Sequence, residues 1–420
     1  MPASKFIEFI NVTNTALIVL LWICCSYRIF YLFVPFFIKL KNKKPETLHS
    51  FAVVISARNE ENVIPHLLNS IANQDYPAEL IKVFVVADNC TDATAAVARN
   101  KNATVYERFN NSQIGKGYAL NFLFENIRKD FGEDRFDGYI VVDADNLLSP
   151  NYISEMNKTF SDGYKVITSY RNSKNYGDNW ISSGYALWFL HEAKYLNYSR
   201  AALGTSCAVS GTGFLFSKEI LKKANGWNFF LLTEDIEFTI WNILEGETIG
   251  YCPRAVLFDE QPTSFRQSVR QRLRWAKGYI QVFRKYGTSL VKGLFHKKAF
   301  ACFDMIMSIL PAVVFSVLGL VFEILAAVIA LASGKSVLPI LLVIAKNLAT
   351  AYLSMFVLGA FPLISERKNI RASASEKLRS LFTFPLFMMT YLPISFWALF
   401  AKVEWKPIKH QKAVDLDDLK

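Results

Sequence analysis

Apolar residues are concentrated at the two ends of this sequence, and this distribution limits most strongly what the chain can fold into. They fill the first 40 residues and the stretch from about 299 to 401, whereas residues 45 to 290 have the mixed composition of an ordinary water-soluble domain. About 20 consecutive apolar residues suffice for a helix to cross a bilayer. The pattern therefore predicts a soluble module held between membrane segments.

Three parts follow from this pattern. Residues 1–44 are predicted to hold an N-terminal transmembrane helix, residues 45–290 the soluble domain, and residues 291–420 a C-terminal membrane region with two spanning helices. Lysines flank the last apolar segment, 381–400, on both sides. A re-entrant hairpin would keep all of them in the cytosol with the C-terminal tail, whereas a crossing helix would place one set outside. We favour the hairpin, and the crossing helix stays open.

The basic residues indicate how the chain lies in the membrane. The formal net charge is +11, and much of the lysine and arginine sits beside the apolar segments. Basic flanks usually face the cytoplasm. We therefore predict a multi-pass protein of the cell membrane with a cytosolic soluble domain. Basic and aromatic residues do not interleave as nucleic-acid binding would require, so the lipid bilayer, not nucleic acid, is the expected partner.

Cysteines and histidines do not indicate a metal site. The six cysteines have no zinc-binding spacing and are expected to be free thiols. The five histidines are scattered, and we predict that all five are structural or surface residues.

The soluble region alternates strand-like and helix-like segments. Strands are predicted at 50–57, 81–88, 104–106 and 138–145, with helices at 60–73, from about 91, and at 117–129. Such alternation predicts an α/β fold with a parallel sheet and right-handed crossovers. Ligands of such sheets bind at the carboxyl ends of the strands, where several polar residues of this sequence fall.

The most informative of these polar residues are Asp143 and Asp145, which follow an apolar strand. Two carboxylates at positions i and i+2 can share a divalent cation and the diphosphate that it bridges, and hard oxygen ligands suit Mg²⁺ or Mn²⁺. A solvated turn is the alternative, because Asp-X-Asp is a common triplet.

Two further features point to a nucleotide. Asp88 ends a strand and can accept hydrogen bonds from a base or ribose, although an Asx turn explains it equally well. Lys116 lies between two glycines before a helix. At such a position the backbone can approach an anion closely, and the charge of the lysine side chain can contact it as well. A flexible loop with a solvated lysine is the alternative.

Two later motifs suggest an acceptor site. Asp235 begins a helical pattern and can act as a general base that takes the proton of an attacking hydroxyl, or it can belong to a helix cap. Gln271, Arg274 and Trp275 share one helix face. Arg274 can contact phosphate and Trp275 can stack on a sugar, although an interfacial helix anchored at the membrane has the same composition.

Taken in order, these motifs resemble those of the family 2 glycosyltransferases, in particular the membrane synthases of the cellulose, hyaluronan, chitin and poly-N-acetylglucosamine type. The set is ARNEE (57–61), ADNCTD (87–92), GKG (115–117), DAD (143–145), SGTG (210–213), TED (233–235) and QRLRW (271–275). The resemblance implies a GT-A fold, a UDP-sugar donor, a divalent cation and inversion at the anomeric carbon.

The resemblance also implies roles for individual residues. Donor-binding residues would be Glu60, Asp88, Lys116, Asp143 and Arg274. The metal ligand would be Asp145, and the catalytic base Asp235. Acceptor-binding residues would be Gly211, Thr212, Glu234, Gln271 and Trp275.

The expected function is therefore a metal-dependent hexosyltransferase that extends a β-linked polysaccharide at the cytosolic membrane face. A single-addition enzyme that glycosylates a membrane lipid such as ceramide or diacylglycerol is the alternative, and a carrier that only binds nucleotide-sugars is the non-enzymatic one. Two departures bear on this choice. ADNCTD stands where many members have DDGS, and SGTG lacks the aromatic-Cys opening of some polymerising synthases.

Overall fold

The computed structural model describes residues 3–40, 47–309, 311–334, 336–406, 410 and 412–419. Within these residues the chain forms an α/β domain with apolar helices before and after it, so the predicted class is confirmed. The predicted boundary between residues 44 and 45 lies outside the described residues. The predicted boundary at residue 290 falls inside a helix that continues to Gly293.

Among the described residues, eight strands form one mixed sheet. They are β1 (Phe51–Ala57), β2 (Ile81–Asp88), β3 (Thr104–Arg108), β4 (Gly138–Asp143), β5 (Leu147–Leu148), β6 (Val166–Ser173), β7 (Phe214–Ser217) and β8 (Ile249–Asp259). Their order across the sheet is β3-β2-β1-β4-β7-β6-β8-β5. The first four run parallel, as predicted, whereas β7 is antiparallel to β4 and β6.

The helices connect these strands and extend beyond them. They are α1 (Ala3–Cys25), α2 (Tyr27–Phe37), α3 (Ile64–Ala72), α4 (Thr94–Asn100), α5 (Lys116–Phe131), α6 (Tyr152–Ser161), α7 (Trp180–His191), α8 (Tyr198–Ala202), α9 (Lys218–Lys223), α10 (Glu234–Leu244), α11 (Phe265–Gly293), α12 (Ala299–Ile309), α13 (Pro311–Ala332), α14 (Leu338–Ser365), α15 (Ala374–Met389) and α16 (Tyr391–Phe400). A π-helix, Glu192–Asn197, joins α7 to α8.

Helices cover both faces of the sheet. On one face α5, α7 and α10 pack over the strands around the fully buried Trp227. On the other face α3, α4 and α6 pack against alternate residues of the same strands. Because both faces are covered, the central strands are apolar along their whole length. Polar side chains are therefore displaced to the strand ends, which is where the site lies.

In the part of the chain that the structure describes, three helical segments are long and apolar enough to cross a membrane: Glu8–Phe37, Leu338–Ser365 and Ala374–Phe400. The last one is interrupted at Thr390, between α15 and α16. The predicted span at 305–333 includes residue 310, which lies outside the described residues, and Val321–Ala332 is a shorter apolar helix. The number of passes, the re-entrant hairpin and the side of the membrane stay predictions.

Candidate active site

The carboxyl ends of three parallel strands place the first polar residues together. Ala57 of β1 pairs with Ala87 of β2, and Ser56 of β1 pairs with Asp143 of β4, so these strands end side by side. Asp88 is the last residue of β2. The predicted donor residues from separate parts of the sequence therefore line one edge of the sheet.

Asp145 lies just past the end of β4 in a turn that buries its carboxylate. Asn146 donates from Nδ2 to Asp145 Oδ1 (3.4 Å) and to Asp259 Oδ1 (3.2 Å), and the amide of Glu260 donates to Asp145 Oδ2 (3.3 Å). Burial, together with the neighbouring carboxylates Asp259 and Asp143, raises the pKa of Asp145 to about 8. The turn therefore concentrates negative charge, which His410 and Lys174 partly compensate.

The loop that carries Gly211 and Thr212 supports the same turn. The Thr212 hydroxyl accepts from the Asp143 amide (2.9 Å) and donates to Asn146 Oδ1. Gly211 and Gly213 both adopt positive φ, 77° and 67°. Only glycine adopts this conformation without strain, so the SGTG sequence serves to bring this loop against the end of β4.

Lys116 links the donor residues to this loop. Its Nζ donates to Asp143 Oδ1 and to the carbonyl of Gly211 (2.8 Å). Burial alone would lower the pKa of Lys116, but Asp143 and Glu234 outweigh it and raise that pKa, so the lysine is cationic. A cation at the first residue of α5 can interact with an anionic ligand at the helix N-terminus.

Asp88 is held by an arginine that the sequence analysis did not single out. Arg108 Nη1 donates to Asp88 Oδ1 (2.6 Å), both side chains are buried, and Arg108 Nη2 also donates to the carbonyl of Gln113 (2.8 Å). Asp88 thus fixes the end of β3 and the loop before α5. This contact occupies one of the carboxylate oxygens that were predicted to face a nucleoside.

Asp235 lies in the first turn of α10 and is half-buried, whereas its neighbour Glu234 is buried. A Cβ built on Gly211 would lie 3.8 Å from Asp235 Oδ2, which brings the base candidate beside the loop bonded to Lys116. Burial raises the pKa of Asp235, although Lys116 and Arg274 oppose the rise. Burial and the adjacent Asp235 raise the pKa of Glu234 to about 7.

Helix α11 fixes the loop before α10. Arg274 Nη1 donates to the carbonyl of Leu232 (2.9 Å). Trp275 contacts Tyr185 and Phe189 of α7 edge-on, with ring centroids 5.7 and 6.3 Å away. Gln271 Oε1 is buried, and no hydrogen-bond partner for it is found among the described residues. The structure thus places Arg274 against the loop before α10 and Trp275 against α7.

Arg272, which lies between Gln271 and Arg274 in α11, is fully buried and has a structural role. Its Nη1 donates to the carbonyl of Phe387 (3.1 Å) and to the Thr390 hydroxyl, and its guanidinium lies 4.4 Å from the Phe387 ring. Arg272 therefore joins α11 to the interruption between α15 and α16.

Sequence reasoning missed His410. Its Nδ1 lies 2.9 Å from Glu60 Oε1 and its Nε2 lies 3.8 Å from Asp145 Oδ2. His410 therefore lies beside two of the predicted site residues, and the prediction that all five histidines are structural or surface residues stays a prediction. No local signal could have found it, because more than 250 residues separate it from Asp145 and its own segment has no motif.

Arg171 and Asp259 were missed as well. Arg171 donates from Nε to Asp259 Oδ2 (2.8 Å) and from Nη1 to the Ser210 carbonyl (3.0 Å), and its guanidinium lies 3.6 Å from the Phe189 ring. Although burial alone would raise the pKa of Asp259, Arg171 lowers it. This pair connects the ends of β6 and β8 to the loop that carries Gly211.

Comparison with known proteins decides the family. The family described as "Glycosyltransferase like family 2" matches residues 49–278, more than half of the chain. The chain belongs to glycosyltransferase family 2. The predicted family is therefore confirmed, and its match covers every motif from Glu60 to Trp275.

Curated relatives of this family 2 chain include three kinds of protein. It is 27% identical to "Probable glycosyltransferase YdaM" of Bacillus subtilis, over 57% of each chain. It is 25% identical to the beta-monoglucosyldiacylglycerol synthase of Synechocystis sp., over 56% of this chain and 48% of that one. It is 23% identical to the poly-beta-1,6-N-acetyl-D-glucosamine synthase of Staphylococcus epidermidis, over 64% and 65%. The match thus spans about half to two thirds of these relatives.

A solved structure resembles the family 2 chain over nearly its whole length. It is the mannosyltransferase PcManGT from Pyrobaculum calidifontis in complex with GDP-Man and Mn²⁺. The TM-score is 0.57 at 16% identity, covering 94% of this chain and 99% of that one. At this identity the likeness concerns the fold, and it confirms the expected GT-A architecture.

Proposed function

We propose that this chain transfers a sugar, with inversion, from a UDP-sugar to a hydroxyl group presented at the membrane. One observation carries the proposal: Lys116 joins Asp143 to the Gly211 carbonyl, and Gly211 adjoins Asp235. A candidate phosphate-binding lysine, a strand-end carboxylate and a candidate base thus lie close together at one edge of the sheet, and the space that they border is called the cleft. Sugar transfer needs these groups together, because the leaving diphosphate and the attacking hydroxyl meet at one carbon.

On the donor side, the charges suit a nucleoside diphosphate. Lys116 and Arg274 supply positive charge beside Asp235, since both oppose the rise in its pKa. Positive groups held in a partly desolvated cleft stabilise the charge that develops on a departing diphosphate. Asp88 and Glu60 lie on the β2 and β1 side of the cleft, where the uridine would be expected.

On the acceptor side, Asp235 is the better base candidate than Glu234. Asp235 is half-buried and adjoins Gly211, whereas Glu234, the first residue of α10, is buried. A general base must come within hydrogen-bonding distance of the proton that it removes. Asp235 would therefore take the hydroxyl proton while the acceptor oxygen bonds to the anomeric carbon and the diphosphate leaves on the opposite side.

The residues around Asp145 fit a divalent cation. The carboxylate is buried, and two neighbouring carboxylates, Asp143 and Asp259, are among the causes that raise its pKa. Among the described residues no group of three or more acidic, histidine or cysteine side chains could hold a metal by itself. Mg²⁺ is typically held by one or two carboxylates plus substrate phosphates. When bound, the cation would neutralise charge on the diphosphate.

The acceptor residues lie on elements that pack against apolar helices. Trp275 contacts α7, and α7 in turn packs on Phe387 of α15. Helix α15 is part of the candidate span Ala374–Phe400. This proximity supports an acceptor delivered from the bilayer, such as a glycerolipid or a lipid-linked saccharide. The beta-monoglucosyldiacylglycerol synthases among the relatives favour the same class.

Extension of a β-linked glycan is the second candidate. It is favoured by similarity to the poly-beta-1,6-N-acetyl-D-glucosamine synthases. The match to the Staphylococcus epidermidis synthase covers 64% of this chain, whereas the match to the Synechocystis diacylglycerol enzyme covers 56%. Under either candidate the protein would be multi-pass, with the catalytic domain on the cytosolic side, where the basic flanks of the apolar segments are expected.

A product analysis tests the proposal and separates the two candidates. The full chain in lipid nanodiscs would be incubated with Mn²⁺ and a panel of radiolabelled UDP-sugars, then extracted with organic solvent and sized. A single labelled lipid is expected. A polymer that grows with time would instead establish the second candidate. Absence of UDP release with every donor, including with added lipid extracts, would reject sugar transfer from UDP-sugars altogether.

A further inference from the structure

A cavity of about 510 Å³ lies between the end of β3, the loop after it, the first three turns of α5 and the loop before α10. Four aromatic side chains line this cavity, and we call it the aromatic groove: Phe109, Tyr118, Phe122 and Phe230. The donor, metal and base candidates of the cleft are not among the residues that line it. The aromatic groove is therefore a feature of the domain that the proposed function does not use.

The rings of the aromatic groove are open to a ligand. Tyr118 and Phe230 stack with their centroids 4.6 Å apart and their planes 18° apart. Phe230 is 37% exposed and Phe109 is 71% exposed, although both are large apolar side chains. A single exposed apolar residue is ordinary, but exposed rings that line a concave site are typical of a binding pocket.

Polar side chains surround these rings. The amides of Asn110, Gln113 and Asn121 and the carboxylate of Glu125 also line the aromatic groove. Asn121 Nδ2 donates to Glu125 Oε1 (3.0 Å), and this bond holds the two side chains together. Amide and carboxylate groups offer both donors and acceptors, and a ligand hydroxyl can use both. The aromatic groove therefore combines flat apolar surface with hydrogen-bonding groups.

The charges of the aromatic groove argue against a phosphate-bearing ligand. Among the described residues that line it, the only cation is Arg108, which is buried and paired with Asp88 (2.6 Å). The acidic side chains are Glu107, paired with Arg99 (2.5 Å), and Glu125. Acidic groups without an available cation repel an anion. An uncharged ligand rich in hydroxyl groups therefore suits the aromatic groove better than a nucleotide.

The aromatic groove shares one loop with the cleft. Phe230, which lines the groove, lies between the carbonyl of Phe229, packed on Gly117, and the carbonyl of Leu232, bound by Arg274. On the α5 side, Tyr118 is two residues beyond Lys116. A ligand in the aromatic groove would thus lie alongside the residues that we assign to sugar transfer.

We propose that the aromatic groove is an accessory binding site for a β-linked oligosaccharide that serves as acceptor or product of the transfer. The inference rests on the proposed function, because inverting transfer from an α-linked UDP-sugar forms a β linkage. A sugar ring has apolar C–H faces and hydroxyl edges. Its face would pack on Phe109 or Phe230, and its hydroxyls would bond to Asn121, Glu125 and Gln113.

A protein partner that docks on the exposed rings is the competing explanation. A stable protein interface buries about 800 Å² on each partner. The aromatic groove instead presents a concave site of limited size, in which amides and a carboxylate accompany the rings. These properties favour a small polar ligand, and the two explanations differ in whether a pure oligosaccharide binds.

Oligosaccharide binding without donor or metal tests the inference. The full chain in lipid nanodiscs would be titrated with cellopentaose and with N-acetylglucosamine pentamers, β-1,4- and β-1,6-linked, and binding followed by saturation-transfer NMR. At least one probe should bind. Phe109→Ala and Phe230→Ala should each weaken its binding about fivefold to tenfold, because each removes one stacking surface. Phe109→Trp should preserve binding, since a larger ring remains.

Two control variants locate the bound probe. Phe265 is also exposed and also belongs to a stacked pair, with Trp180 at 5.9 Å, so Phe265→Ala is the matched control and should not change binding. Trp275→Ala alters the predicted acceptor site and should also leave this binding unchanged. If Trp275→Ala abolished it while Phe109→Ala had no effect, the probe would occupy the cleft and the inference would be wrong.

The remaining outcomes separate the inference from the proposed function. If a wild-type chain that releases UDP from a UDP-sugar binds none of the three probes, the inference fails and sugar transfer stands. If a probe binds through Phe109 but no UDP-sugar is turned over, the proposed function fails while the aromatic groove keeps its ligand. Weaker UDP binding in Phe109→Ala would assign the groove to the donor and overturn the inference.

Discussion

The carboxylates of the cleft differ in whether an arginine or lysine side chain forms an ion pair with them. Asp88 is paired with Arg108, Asp143 with Lys116 and Asp259 with Arg171. Among the described residues Asp235 takes part in no such ion pair, and its pKa is raised by burial. Burial outweighs the opposing charges of Lys116 and Arg274, and a carboxyl group with a raised pKa suits a role in which it must accept a proton.

A shift in pH dependence follows from the surroundings of Asp235. Arg274 lowers the pKa of this carboxyl, so Arg274→Gln should raise it further. A base acts only when deprotonated, and the acid limb of the kcat/KM profile should therefore move to higher pH. Arg270→Gln, an exposed position on the same helix, is the control. An acid limb at the same pH in both variants would count against Asp235 as the base.

At the scale of elements, the start of α5 is held against the loop before α10. A Cβ at Gly117 would lie 2.1 Å from the carbonyl oxygen of Phe229, closer than any packing allows. This contact places Lys116, the neighbour of Gly117, against the loop that leads into α10. Gly117 is needed because it lets the backbone of α5 approach the backbone at Phe229 closely, not because of an unusual backbone angle.

Gly117→Ala should therefore impair both stability and turnover. Forcing a methyl group into packed backbone costs about 1–3 kcal/mol, which exceeds the roughly 0.5–1 kcal/mol that alanine gains in a helix. Thermal unfolding in detergent and UDP release would be measured side by side. Gly319→Ala, in α13 where nothing lies within 4 Å of the added Cβ, should be tolerated. If Gly117→Ala and Gly319→Ala had the same unfolding temperature and the same rate of UDP release, the proposed role of this backbone contact would be contradicted.

The elements that could be predicted from sequence are those with a local signature. Strands β1, β2 and β4 are apolar runs buried on both faces, and their carboxyl ends could be aligned from topology rules alone. The second half of the sheet was not predicted, because β6 contains several polar residues and β8 contains Pro253. The contacts of Arg171 and His410 depend on pairings between distant segments, which no spacing in the sequence reveals.

At the scale of the whole molecule, a buried ion pair connects the catalytic domain to the helices on both sides. Arg200 of α8 donates from Nε to Asp304 Oδ2 (2.7 Å) and from Nη2 to Asp304 Oδ1 (3.0 Å). Tyr27 and Tyr31 of α2 donate to the same carboxylate at 2.7 and 3.1 Å. One acidic side chain thus joins segments that lie nearly 280 residues apart.

Asp304→Asn should destabilise the protein by about 3–5 kcal/mol, because it leaves Arg200 buried without its counter-charge. Denaturant unfolding in detergent, followed by tryptophan fluorescence, would measure the loss. The double substitution Arg200→Met with Asp304→Leu removes both charges and should recover much of the stability. If Asp304→Asn were as stable as the wild-type chain, the Arg200–Asp304 pair would not be what holds these segments together.

The most direct test of the central claim, that these side chains form one sugar-transfer site, is to measure UDP formation and UDP binding together in Asp235→Asn. The substitution removes only the proton acceptor. Turnover should fall about 10²- to 10⁴-fold while UDP affinity stays at the wild-type value. Asp130→Asn, a carboxylate outside the cleft that accepts from Tyr106, should change neither quantity. Wild-type turnover in Asp235→Asn would contradict the account.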